Sequence, residues 1–179
     1  MSAAREEILQ RVRAATPATA GPIPREYRRR GTLDQEQRVA LFCERVGEYR
    51  AEVHRCAENE VADLVASLGR KLVTDESLSV PELDEADGAL TGCTVAIAET
   101  GTIVLEGSRA LTLVPDLHVC IVRESQIVQL LPEALERIDV RRPITFVSGP
   151  SATSDIELSR VEGVHGPRNL VVLVVKELS

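Results

Sequence analysis

Six short runs of Val, Ile and other apolar residues dominate the sequence after Lys71. They occupy positions 71–74, 93–98, 102–105, 117–122, 144–147 and 170–175, separated by Gly, Pro, Ser and Asp. Runs of this length and composition are typical of strands. The runs at 117–122, 144–147 and 170–175 are almost continuously apolar, which predicts strands buried on both faces in the middle of an α/β sheet.

The sequence before these runs has helical spacing instead. Residues 3–13 predict a short amphipathic helix, and residues 61–68 predict another that ends at Gly69. Pro132 is well placed for the first turn of a crossover helix over 132–138. Helices before and within a buried sheet indicate an α/β fold in three layers.

A long helix is predicted from about Asp34, because apolar residues recur there at alternating spacings of three and four. These residues are Val39, Phe42, Val46, Tyr49, Val53 and Cys56. Such a stripe fits packing against the domain, which we favour, or a seam between two copies of the chain. His54 falls near the predicted end of this helix, where an imidazole typically interacts with the last carbonyl groups.

Residues 14–31 contain three prolines and the run Arg28-Arg29-Arg30, with few apolar side chains. This composition predicts an extended arm, whose arginines are either solvated or form a docking patch for an acidic partner. We therefore divide the chain into a helix and arm at 1–31 and a single α/β domain at 32–179, which includes the long helix.

Composition excludes several functions. A net charge of -7 and only four aromatic residues, without Trp, argue against a phosphate-backbone binder or a base-stacking platform. No apolar run reaches about 18 residues, so no membrane span is predicted. The four cysteines match no common zinc or iron–sulfur spacing, which predicts free thiols, no metal in this chain and a reducing cytoplasmic setting.

The loop Ser148-Gly149-Pro150-Ser151-Ala152-Thr153-Ser154-Asp155 follows one of the predicted strands. Ser154 and Glu157 have capping-box spacing, which predicts a helix start at Ser154. A helix N-terminus beyond a strand end, with hydroxyls and a glycine that permits close approach, is suited to an anion. A purely structural turn fits the same spacing equally well.

Two further stretches carry candidate chemistry. His165, between glycine-rich flanks, is suited either to binding an anion or acid–base work, or simply to holding its turn. Glu99, in Glu99-Thr100-Gly101-Thr102, would be a base or nucleophile if its apolar flanks desolvate it, although a turn carboxylate is the favoured interpretation. His118 lies inside a predicted strand and is expected to be a satisfied core histidine.

Four stretches together resemble the LUD-domain family. They are AETGT at 98–102, LVPDLH at 113–118, SGPSATSDIE at 148–157 and GVHGP at 163–167. The resemblance covers about residues 57–179. It implies an α/β three-layer sandwich of the NagB/RpiA/CoA-transferase-like type, preceded here by the N-terminal helices.

The resemblance also implies a role in the oxidation of L-lactate to pyruvate beside two iron–sulfur partner proteins. Any clusters would belong to those partners, and the chain itself is expected to carry no cofactor. Whether it catalyses a step stays open, with Glu99 and His165 as the candidates. A stand-alone small-anion sensor and a CoA-transferase-like enzyme of acyl or sugar-phosphate chemistry are the alternatives.

The predicted ligand is a small carboxylate or phosphate. Its binding residues are expected to be Thr100, Gly101, Thr102, Ser148, Gly149, Pro150, Ser151, Thr153, Asp155, His165 and Gly166.

Overall fold

The computed structural model describes residues 3–15, 23–74, 77–107, 109–154, 160–162 and 166–177. The α-helices within these residues are Ala3–Ala15 (α1), Gln35–Glu48 (α2), Val61–Ser67 (α3), Val80–Asp84 (α4), Arg109–Leu113 (α5) and Leu131–Leu135 (α6). None of these described helices combines the length and apolar character needed to cross a membrane.

The strands are Glu52–Ala57 (β1), Leu72–Val73 (β2), Gly88–Thr91 (β3), Val95–Ile97 (β4), Thr102–Glu106 (β5), Leu117–Arg123 (β6), Ile127–Val128 (β7), Ile144–Val147 (β8), Ala152–Ser154 (β9), Arg160–Glu162 (β10) and Asn169–Lys176 (β11). A parallel sheet has the order β1-β11-β6-β3-β2. A second sheet has the order β7-β4-β5-β8, with β5 antiparallel to both β4 and β8. β9 and β10 form a separate antiparallel pair.

Side chains that alternate along β6 divide the core between two faces of the parallel sheet. Val119 packs in a cluster that includes the apolar side of α3. Cys120 and Val122 pack in the cluster that joins α2 to the second sheet. Ala134 of α6 covers the other face of that second sheet. Helices and sheets therefore form stacked layers, which confirms the predicted α/β fold class.

Several predicted elements are found where expected. Six of the eight residues of β11 and four of the seven residues of β6 are buried, as their continuous apolar runs predict. α3 ends before Gly69, whose φ of 59° is the left-handed conformation that commonly ends a helix. α6 carries Pro132 in its first turn. All four cysteines are free thiols.

The predicted long helix is wrong in its second half. α2 begins after Asp34, whose side chain accepts from the Gln37 N–H, and ends at Glu48. Arg50 then adopts φ 68° and redirects the chain into β1. Along β1 the backbone gains ladder hydrogen bonds to β11, and its apolar side chains still reach the core. His54 consequently lies on a strand, with Nε2 2.7 Å from Glu52 Oε1, and does not cap a helix.

The expectation that the strand before the 148–155 segment is buried on both faces is also wrong. β8 is the edge strand of the second sheet, and 49% of Phe146 is exposed. Ser154 lies in β9, where its backbone pairs with Arg160 of β10. Glu157, the predicted partner of Ser154 in a capping box, lies outside the described residues, so the helix start at Ser154 remains a prediction.

The arm and the two residues that follow it, Thr32 and Leu33, are held to the rest of the domain at several points. Gln129 Oε1 accepts from the Thr32 and Leu33 N–H groups at 2.7 and 2.9 Å. Arg28 pairs with Glu99 at 2.8 Å, and Arg30 pairs with Glu136 at 2.8 Å. Because these ion pairs are exposed, each contributes only about 0–1 kcal/mol, and the buried amide of Gln129 is the stronger anchor.

Candidate functional site

A cavity of about 250 Å³ lies beside the 148–151 loop. Five of the predicted ligand-binding residues line it, namely Ser148, Gly149, Pro150, Ser151 and Gly166. The 148–151 loop supplies one side, and the ends of α5 and β8, the start of β6 and residues around the start of β11 supply the rest. The cavity therefore lies where the second sheet meets the amino-terminal edge of the parallel sheet.

A backbone hydrogen bond joins the two loops that the sequence singles out. The Ser151 N–H donates to the Pro167 carbonyl at 2.8 Å. A Cβ atom added at Gly166 would lie 3.6 Å from Ser151 Cβ, so the two loops approach each other closely. This contact is possible because β8 belongs to a different sheet from β11 and brings its loop to the start of that strand.

Three of the predicted residues cannot be placed fully in this site. Asp155 and His165 lie outside the described residues, so their roles remain predictions. Thr153 is described through its backbone, which pairs with Val161 in the β9–β10 pair.

Thr100 and Thr102 support the loop through a chain of hydroxyls. Thr102 Oγ1 lies 2.7 Å from Thr100 Oγ1 and 2.8 Å from Ser148 Oγ. Thr102 is only 6% exposed, which makes it the buried centre of the chain. The two threonines therefore act on Ser148, and Ser148 is the member of the chain that lines the cavity.

Two of the three predicted glycines, Gly101 and Gly149, pack against the carboxyl end of α2. Gly101 has φ 58°, and a Cβ there would lie 2.8 Å from the Arg45 backbone. Gly149 has φ 97°, and a Cβ there would lie 2.4 Å from Tyr49 Cβ. We expected Gly149 to make room for a ligand, but the group it makes room for is Tyr49. The end of α2 thus positions both segments.

Glu99 does not have the desolvated setting that the sequence suggested. Its side chain is 41% exposed and forms the ion pair with Arg28. Its backbone N–H donates to the Gln129 carbonyl at 3.1 Å, which holds the turn. A solvated, paired carboxylate is a weak candidate for a nucleophile, because nucleophiles need activation by a neighbouring group or an altered pKa.

His118 was expected to be a core residue and was not predicted to contribute to the site. It is 1% exposed, and Nε2 lies 2.8 Å from Thr91 Oγ1, which confirms a satisfied core histidine. Burial lowers the pKa of this imidazole to about 4, so the ring is neutral at pH 7. It also lines the cavity. A polar residue at the start of an otherwise apolar strand was the available signal.

Hydroxyl groups and a neutral imidazole give the cavity its polar character. Thr112, Thr145, Ser148 and Ser151 contribute the hydroxyls, and no lysine, arginine or carboxylate is present among its described lining residues. The part of the chain that the structure describes also contains no cluster of metal-ligating side chains. The arrangement is suited to holding a small molecule by hydrogen bonds.

Comparison of the sequence with known proteins identifies the family of this chain. The family model of the LUD domain matches residues 80–175. The chain is 58% identical over 119 residues to lactate utilization protein C of Deinococcus radiodurans, covering 61% of this chain and 56% of that protein. It is 34% identical over 114 residues to lactate utilization protein C of Shouchella clausii, covering 58% and 50%. It thus spans about half the length of these relatives.

A solved structure supports the same assignment. The crystal structure of a DUF162 family protein from Deinococcus radiodurans matches with a TM-score of 0.69 and 37% identity. The match covers 80% of this chain and 99% of the other. With more than half of the sequence inside the matched domain, the chain belongs to the LUD domain family.

Proposed function

We propose that this chain is a subunit of a lactate-utilising system and that the cavity beside the 148–151 loop binds a small carboxylate. The observation that carries the proposal is the convergence of hydroxyl groups from α5, β8 and the loop on one small cavity. The names of the relatives supply the substrate, because several are called lactate utilization protein C.

The lining fits the chemistry of a 2-hydroxy acid. Lactate carries a carboxylate and a hydroxyl, both of which accept hydrogen bonds, and one methyl group. Ser148, Ser151 and Thr145 offer hydroxyl donors, while Leu113 and Leu170 offer apolar contacts. Binding through neutral donors avoids a buried unpaired charge on the protein when the cavity is empty. His165, next to Gly166 in sequence, would add a further donor.

Oxidation of lactate to pyruvate releases two electrons and two protons. We assign the electron acceptor to iron–sulfur partner subunits, as the resemblance of the sequence implies, and leave binding and positioning to this chain. The exposed residues around the cavity mouth, Leu113 and Phe146, would then face such a partner.

Calorimetric titration tests the ligand. L-lactate, pyruvate and inorganic phosphate are titrated into the chain, into Ser148→Ala and into Ser67→Ala, a matched control on α3. We expect a carboxylate to bind and Ser148→Ala to raise its Kd about tenfold, the effect of one lost hydrogen bond. Absence of binding by both carboxylates, or equal Kd values in all three proteins, would refute the site. Tighter binding of phosphate than of either carboxylate would identify the cavity as a phosphate site.

Reconstitution tests the subunit role separately. Purified iron–sulfur partner proteins are assayed for lactate oxidation with and without this chain, and binding is followed by size-exclusion chromatography. The proposal expects a complex and a rate that depends on the chain. Full activity of the partners alone would refute it, whatever the cavity binds.

A further inference from the structure

A second and larger cavity lies at the carboxyl ends of β2 and β3. Its volume is about 490 Å³, and Thr74 and Thr91 at the ends of these strands line it. This edge of a parallel sheet is where α/β proteins usually bind ligands. The volume also falls within the range of about 300–1,000 Å³ that is typical of small-molecule sites. Its lining includes none of the described residues that the sequence nominated for ligand binding.

Five threonines line this cavity, namely Thr74, Thr91, Thr94, Thr112 and Thr145. The Thr91 hydroxyl is hydrogen-bonded to His118, and that of Thr112 donates to the Arg109 carbonyl. The hydroxyls of Thr74, Thr94 and Thr145 have no hydrogen-bond partner among the residues that the structure describes. They remain available as donors and acceptors for a bound molecule.

The charges around the cavity select against an anion. Among its described lining residues there is no lysine or arginine, and the single carboxylate is Glu106. Its Oε1 accepts from the Asp139 N–H at 2.6 Å, and its Oε2 lies 3.4 Å from Arg142. An anion would face this carboxylate without a cation of its own, whereas a cation would compete with Arg142 for it. An uncharged molecule meets neither cost.

Most of the remaining wall of the cavity is aliphatic. Leu90, Leu105, Leu111 and Ile121 provide this part, and Cys93 adds a thiol. A suitable occupant therefore has an apolar face opposite the side that carries its hydrogen-bonding groups. Because no aromatic ring lines the cavity, stacking adds nothing, and recognition depends on the threonine hydroxyls and aliphatic contact.

We propose that this cavity is a second binding site, for an uncharged small molecule that bears hydroxyl or amide groups. The inference is independent of the carboxylate proposed for the smaller cavity. Thr112 and Thr145 line both cavities, and the Thr91–His118 hydrogen bond joins their walls. An occupant of the larger cavity would thus touch the residues that border the carboxylate.

Matched pairs of probes test the charge selection. Nicotinamide is compared with nicotinate, and erythritol with erythronate, by amide NMR shifts of the labelled chain. We expect the neutral member of at least one pair to shift the amide resonances of Thr91, Thr94 and Gly107. Its Kd should be at least about tenfold lower than that of the corresponding acid. Shifts from the acids at equal or lower concentration, or no shifts from any probe, would overturn the proposal.

Substitutions at two lining positions make the assignment specific. Thr94→Val removes an available hydroxyl and should raise the Kd of the neutral probe about tenfold. Thr94→Ser keeps a hydroxyl and should restore the Kd of the parent chain. Gly92→Leu adds a side chain at a lining position where a Cβ meets no atom within 4 Å, so we expect it to obstruct the cavity with little effect on stability, which urea denaturation checks. Unchanged binding in both Thr94→Val and Gly92→Leu would place the probe elsewhere and refute the site.

Discussion

The backbone of Gly149 packs directly on the side chain of Tyr49, so that a Cβ atom at position 149 would lie 2.4 Å from Tyr49 Cβ. Gly149 also has φ 97°, a conformation that other residues rarely adopt. We expect Gly149→Ala to lower the free energy of unfolding by about 1–3 kcal/mol, measured by urea denaturation. A substitution here consequently tests packing and is unsuitable as a test of ligand binding.

Gly47 in α2 provides the matched control. A Cβ at this position meets no atom within 4 Å. Gly47→Ala should leave the free energy of unfolding unchanged or raise it by up to about 1 kcal/mol, because alanine is the better helix former. Equal effects of the two substitutions would contradict the contact between Gly149 and Tyr49.

The Thr102 hydroxyl is expected to stabilise the site through Ser148. Thr102→Val keeps the shape of the side chain but removes both hydrogen bonds, so we expect a loss of about 1–2 kcal/mol in the free energy of unfolding. Thr102→Ser retains the hydroxyl and should recover carboxylate binding in the calorimetric titration. If Thr102→Val bound the carboxylate as tightly as the parent chain, the hydroxyl chain would have no role in positioning Ser148.

His118 should make stability depend on pH. Burial lowers its pKa from 6.5 to about 4, so between these values the unfolded chain binds a proton that the folded chain excludes. Its contribution is therefore fully present above pH 6.5 and declines as the pH falls toward 4, by up to about 3 kcal/mol.

Urea denaturation of the parent and of His118→Gln between pH 4 and 7.5 isolates this effect. Glutamine does not titrate and preserves a partner for Thr91, so the difference in stability between the two proteins should narrow as the pH falls. A constant difference, or an imidazole NMR titration near 6.5, would show that His118 is not buried as a neutral ring.

Gln129 should hold the arm in place. Gln129→Met leaves the Thr32 and Leu33 N–H groups without their acceptor, whereas Gln129→Glu keeps an oxygen there. We expect Gln129→Met to accelerate hydrogen exchange at these two amides at least about tenfold, with a smaller effect for Gln129→Glu. Unaltered exchange in Gln129→Met would mean that the Arg28 and Arg30 ion pairs suffice to anchor the arm.

Sequence patterns predicted the parts of this fold that depend on local composition. The apolar runs at β6 and β11 can be satisfied only by burial, and Gly69 and Pro132 mark helix ends through their own backbone preferences. The end of α2 had no such signal. Val53 and Cys56 continue the spacing of the helix, and their placement in β1 depends on pairing with β11, more than a hundred residues away.

In the candidate site, too, local features could be predicted from the sequence and tertiary contacts could not. Its loops were recognisable from their glycines and hydroxyl residues, and the structure brings Ser151 and Gly166 together. The partner of Gly149 was not predictable, because Tyr49 reaches it from α2 through tertiary packing. Likewise, the charge of Arg28 and its distance in sequence from Glu99 gave no indication that the two pair.

The position of β11 has a consequence for synthesis. β11 lies between β1 and β6, although it follows every other described strand in sequence. During translation β1 has no neighbour to pair with until β11 has left the ribosome, so the nascent chain carries an unpaired strand edge and an incomplete core until residues 169–176 have emerged. We expect the parallel sheet to close only once β11 has emerged, so that until then the exposed apolar strands are a substrate for chaperones.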